Sequence, residues 1–150
     1  METDRRRAVA AWVPVAALIL SLLGLAVSIY LTIEHYTGNT QLACPESATI
    51  NCAKVTTSPE SVVFGIPVAV LGLPFFVAML GANLPAAWRS DAGWLRAGRL
   101  LALGVGMIFV LYLVYVELFR VSAICLWCTS VHILTFLLLL VILLGEAGRE

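Results

Sequence analysis

Four long apolar runs limit what this chain can fold into: Trp12–Ile33, Gly65–Leu84, Leu100–Phe119 and Ala123–Leu144. A helix needs about 20 such residues to cross the hydrocarbon core of a bilayer. Only 12% of the residues are charged, against about 25% in a soluble domain. The expected fold is an all-α membrane protein filling residues 1–150 as one domain, a four-transmembrane-helix bundle with helices over about 12–34, 65–84, 99–119 and 123–144. The first run resembles a secretory signal, because Arg5, Arg6 and Arg7 precede it and Ala26-Val27-Ser28 has the form of a cleavage site. Its apolar character continues to Ile33, so a retained helix is expected.

Orientation follows from the positive charges, since short loops rich in Lys and Arg stay in the cytoplasm. Arg5, Arg6, Arg7, Arg89, Arg96, Arg99 and Arg149 fall on one side, and only Lys54 and Arg120 on the other. Both termini and the 85–99 loop are therefore expected in the cytoplasm, with the 35–64 loop and the 120–122 turn outside. All four cysteines, Cys44, Cys52, Cys125 and Cys128, then belong to the extracytoplasmic side or to the outer end of a helix. Disulfides persist in that compartment.

Four cysteines in two close pairs suggest two dithiol/disulfide couples facing each other across the outer mouth of the bundle. The pair Cys125-Leu-Trp-Cys128 opens the fourth run. Positions i and i+3 share a helix face, and a helix N-terminus stabilises the thiolate that exchange requires. A structural reading stands beside this one: Cys44–Cys52 as a staple closing the long loop, and Cys125 and Cys128 as small buried hydrophobes. Zinc is disfavoured, because the gap between Cys44 and Cys52 does not match the short Cys-x-x-Cys spacing of closed thiolate sites. No metal is expected.

Other polar residues carry narrower readings. His132 stands four residues after Cys128, on the same helical face, and reads either as a functional group or as an interfacial histidine bonded to backbone. Ser58-Pro59-Glu60 is a helix start, with Ser58 as N-cap and Pro59 in the first helical position. A short helix there would lie over the outer mouth as a capping half-helix, separated from the second membrane helix by Gly65 and Pro67. Glu117 and Arg120 read as an interfacial ion pair at i, i+3, and Glu34 and His35 end the first helix at the same level. Trp12, Tyr30, Tyr36, Trp88, Trp94, Tyr115 and Trp127 suit aromatic belts. Gly72, Gly81, Gly104 and Gly106 suit close helix packing. No nucleotide or nucleic-acid motif is present.

Cys44 and Cys52 in the first outer loop, the run Cys52-Ala-Lys-Val-Thr-Thr-Ser58, the "FGIP" at 64–67 and Cys125-x-x-Cys128 together resemble the vitamin K epoxide reductase (VKOR) family over about residues 10–145. The standalone prokaryotic members, without an attached thioredoxin-like domain, are the most similar. The resemblance implies an enzyme that passes two electrons from a reduced thiol partner to the loop pair, then to the CxxC pair, then to a quinone. Cys44 would meet the partner, Cys52 would exchange with Cys125, and Cys128 would face the quinone. Ser58, Ser61, Phe64 and His132 would line the quinone site. The implied cofactor is menaquinone, ubiquinone or vitamin K, and the implied partner is a secreted or membrane-anchored thioredoxin-fold (DsbA-like) protein encoded separately.

Three functions follow as expectations. One is a thiol oxidase that drives disulfide formation, favoured by an Ala-, Leu- and Arg-rich composition with a single Lys that suggests a bacterial source. Another is reduction of vitamin K or its epoxide, for which animal members of the family resemble a tyrosine where this chain has His132. The third is a disulfide-stapled structural membrane protein. The DsbB type of thiol oxidase carries its CxxC in the first outer loop, the reverse of the order here.

Overall fold

A computed structural model describes residues 9–38 and 43–149; Arg5, Arg6 and Arg7, and the part of the outer loop expected between Gly38 and Ala43, lie outside the described residues. The first helix, α1, runs Trp12–Thr37 and ends at Gly38, whose φ of 63° is the left-handed turn that closes many helices. Its buried stripe, Val13, Ala17, Ser21, Gly24, Ser28 and Leu31, recurs every three or four residues. Most of those side chains are small, so neighbouring helices approach closely. A side chain at Gly24 would run into the Phe76 ring, and one at Gly72 into Ser28. Gly106 likewise faces Phe75, whereas Gly81 and Gly104 meet nothing and are not close-packing sites.

After α1 the chain forms a short helix α2 (Cys52–Thr56), a single 3-10 turn (Pro59–Ser61) and a two-stranded hairpin, β1 (Val62–Val63) against β2 (Ile66–Pro67). The hairpin corrects the start expected for the second membrane helix. Phe64 and Gly65 both take positive φ, 52° and 79°, and reverse the chain. Pro67 is extended, and α3 begins only at Val68, ending at Ala82. Its 15 residues extend about 22 Å, with Pro74 removing one internal hydrogen bond.

The segment read as a loop over 85–99 holds a short helix α4 (Pro85–Arg89) and the first turns of α5 (Gly93–Tyr115), which therefore starts six residues before Arg99. Arginine in a sequence signals contact with water, and here that signal fails. Arg99 is 1% exposed. Its Nη1 lies 3.0 Å from Oε1 of Glu146, Arg96 holds the other carboxylate oxygen at 3.2 Å, and the guanidinium lies 3.8 Å over the Trp88 ring. Trp88 is thus buried, not a belt residue.

Beyond α5 the helix widens into a π turn, Val116–Val121, and stops at Ser122 with φ 52°. The last helix, α6, runs Leu126–Ala147 rather than from Ala123. Residues before it are held extended by a parallel bridge between Ile124 and Ile50. The helices α1, α5 with its π turn, and α6 are long and apolar enough to cross a membrane. Leu22, Leu101, Ile108, Leu111 and Leu144 are half or more exposed, as lipid-facing side chains are. Helix α1 packs mainly against α3 and α6. Val13, Ala17, Met79, Trp88, Leu103, Leu138 and Ile142 form the core at one end, and a second cluster containing the cysteines forms at the other.

Candidate active site

All four cysteines meet in that second cluster. Cys52 and Cys125 are buried in it beside Val55, Val116, Val121 and Ala123, with Cys44, Trp127 and Cys128 packed against them. Cys44 and Cys52 form a disulfide with Cα atoms 6.2 Å apart, while Cys125 and Cys128 are free thiols. Two backbone hydrogen bonds bring the pairs together: Ile124 N–H donates to Thr49 O at 2.9 Å, and Asn51 N–H to Ile124 O at 3.1 Å. The residue that follows each end of the Asn51–Ile124 bond is a cysteine, Cys52 on one side and Cys125 on the other.

Cys125 is the N-cap of α6 and not a residue of its first turn, a refinement of the shared-face expectation. Its Sγ accepts the Cys128 N–H at 3.2 Å, the capping role that a Ser or Asp oxygen usually fills. Its thiol is held below the ordinary value first by a hydrogen bond with the Cys128 side chain, with burial opposing and the Cys128 and Trp127 amides assisting. A thiolate at the positive end of a helix is the nucleophile of disulfide exchange.

A cavity of about 100 Å³ opens beside Cys128. Its walls are mostly apolar, and its polar groups include Ser58, Ser61, Glu60, Glu117, His35 and His132, with Ser28 and Thr56 beside them. Three of the four expected quinone-site residues, Ser58, Ser61 and His132, thus share the cavity with Cys128. Phe64 does not: it stands 98% exposed at the hairpin tip, because the positive φ of Phe64 and Gly65 turns that tip outward. The serines also differ from expectation in their bonding. Ser58 precedes the 3-10 turn as an N-cap by position, yet its hydroxyl donates backward to Val55 O at 2.8 Å and makes no cap bond. Ser61 donates to Ser58 O at 2.7 Å.

Sequence reasoning missed Glu117. The π turn alters the angular offset along the helix, so Glu117 and Arg120 do not pair; Arg120 reaches Glu60 at 3.7 Å. Glu117 is 6% exposed, its carboxylate faces the Cys125 amide, and it lines the cavity. The signal was present in the sequence, since an acidic residue inside an apolar run is a functional candidate by default. π turns also gather at functional sites. His35, read only as a helix end, is the second residue missed.

A larger apolar groove of about 650 Å³ adjoins the cavity and shares Val68, Gly72, Leu113, Val131 and His132 with it. A flat ring with polar edges and a long apolar tail matches this pairing of a small mixed cavity with an apolar groove. The residues present therefore fit a quinone.

Paired thiols at a membrane helix N-terminus, facing a loop disulfide, define a membrane protein equipped for dithiol–disulfide exchange. The chain matches the model of the vitamin K epoxide reductase family over residues 15–143, and it belongs to that family. No curated protein sequence matches it. Family members are oxidoreductases of the membrane, linked to quinones and in general to thioredoxin-fold partners.

Proposed function

We propose that the protein is a thiol:quinone oxidoreductase that reoxidises an extracytoplasmic thioredoxin-fold partner and so drives disulfide formation. The observation that carries the reading is the gathering of both cysteine pairs in one cluster with Cys128 on the wall of the cavity. In the proposed sequence a partner thiolate attacks Cys44, breaking Cys44–Cys52 and freeing the Cys52 thiolate. The partner's second thiolate displaces Cys44 and leaves with a disulfide. Cys52 then attacks Cys125 of an oxidised Cys125–Cys128 pair, and Cys44 resolves the mixed disulfide by attacking Cys52. The products are a Cys44–Cys52 disulfide and two free thiols at Cys125 and Cys128, the bonding described above.

A bound quinone supplies an acceptor for the two electrons and two protons of that dithiol. The chain's own contribution is to exclude water with apolar walls, to set Cys128 at the cavity, and to hold protons at Glu117 and His132. Ser58 and Ser61 shape the wall through their bonds to backbone. Phe64 is not assigned a part in holding the quinone.

The same reading makes α3 a fourth, shorter span, with the hairpin and α2 covering the outer mouth and both termini cytoplasmic. Support comes from charge: Arg89, Arg96, Arg99 and Arg149 belong to the end opposite the cysteines, separated from them by the length of α6, roughly 30 Å. The direct test supplies purified protein with a reduced thioredoxin-fold donor and measures quinone reduction for wild type and Cys128→Ala. Turnover by wild type, lost in the variant, is expected. A wild type that reduces no quinone with any dithiol donor would return the cysteines to a purely structural role.

A further inference from the structure

The loop disulfide is anchored unequally. On the Cys52 side, the Ile50–Ile124 backbone bridge fixes the chain two residues away. On the Cys44 side, the preceding residue is gripped by two side chains: the Trp127 indole Nε1–H donates to Ala43 O at 3.1 Å, and Ala43 N–H donates to the Tyr30 hydroxyl at 3.2 Å. The two rings pack on each other with centroids 4.8 Å apart. One residue, Ala43, thus has both its backbone groups satisfied by a pair of aromatic residues from α1 and from inside the CxxC motif.

We infer that Trp127 and Tyr30 form a clasp that holds Cys44 against Cys52, and that they act as positioning residues for exchange between the two cysteine pairs. The inference rests on the electron path proposed above. When the Cys125 thiolate attacks Cys52, the Cys44–Cys52 bond breaks and Cys44 leaves as a thiolate. Cys52 stays in place through its backbone bridge. Whether Cys44 remains to attack again, or swings out to water, depends on the clasp. Opening it turns Cys44 toward a partner; closing it returns Cys44 to Cys52. Neither residue is a catalytic group, and an interfacial belt role would require neither hydrogen bond.

The test uses the full-length protein in lipid nanodiscs. In a Cys128→Ala background three cysteines remain, and acid quenching with thiol labelling and peptide mapping reads the ratio of Cys52–Cys125 to Cys44–Cys52, with any Cys44–Cys125 counted separately. Tyr30→Phe keeps its ring and Trp127→Phe keeps an aromatic ring in place of the indole, and each deletes one hydrogen bond. Each should raise the ratio of Cys52–Cys125 to Cys44–Cys52 by about two- to tenfold, the equivalent of one net hydrogen bond. Because both bonds grip one residue, Ala43, the double variant should shift the ratio little further than the stronger single. An unchanged ratio in both single variants overturns the clasp. If no Cys52–Cys125 species forms even with Trp127 and Tyr30 intact, the electron path itself fails. Hydrogen exchange at the Ala43 amide then still decides: faster exchange in Tyr30→Phe supports the clasp, and identical exchange rejects it.

Discussion

The two ends of the bundle bury ionisable side chains in opposite ways. At the arginine end, Glu146 is held between Arg99 and Arg96, with the Trp88 ring under the guanidinium, and Val13, Leu103 and Ile142 close the packing. At the cysteine end, Glu117, His132 and Cys128 line a cavity, and Arg120 pairs at its rim with Glu60 rather than with the buried Glu117. A buried charge with its counter-ion in place is a fastening. A buried acid beside an open cavity is equipped to exchange a proton. The contrast predicts that substitutions at one end act on stability and at the other on rate.

The largest effect is expected at the chemical end. Cys125→Ser should lower donor-dependent quinone reduction by about a thousandfold or more while leaving the thermal midpoint in detergent nearly unchanged; a large loss of stability would break the contrast. Next comes Arg99→Ala, which leaves Glu146 short of its buried partner. It should destabilise the protein by about 3–5 kcal/mol, read by thermal or denaturant unfolding in micelles, with turnover per folded molecule preserved. Glu117→Gln should slow quinone reduction by about a hundredfold and leave unfolding unaffected; a normal rate would make Glu117 a bystander. Gly24→Ala sets a methyl against the Phe76 ring and should cost about 1–3 kcal/mol, read by thermal unfolding in micelles. The smallest effect belongs to Arg120→Ala, whose exposed ion pair with Glu60 contributes about 0.2–1 kcal/mol.

Legibility in the sequence followed the same division. Apolar length located three long helices and the run that became α3, because burial in lipid depends on composition more than on detail. The boundaries went astray where a residue behaved against its type. Arg96 and Arg99 were counted as loop residues because a single sequence does not display the distant Glu146 that pairs with them. The CxxC spacing pointed to Cys125 and Cys128 directly, but the N-cap conformation of Cys125 depends on a bridge to Ile50, far away in the chain. Glu117 was assigned to Arg120 on the assumption of a regular α-helix, which the π turn breaks. Phe64 was grouped with the cavity residues by its motif. Gly65 announced a turn there, but not the direction in which the neighbouring ring would point.

The bridge between Ile50 and Ile124 has a kinetic meaning. It makes the encounter of the two cysteine pairs unimolecular, with an effective molarity in the millimolar range even if the rest of the loop is as loose as a short flexible linker. On the proposed electron path a partner protein, by contrast, must arrive by collision. At micromolar partner concentrations the internal transfer runs ahead of delivery, so turnover should rise in proportion to partner supply, and the membrane protein itself will spend most of its time waiting with its loop disulfide closed.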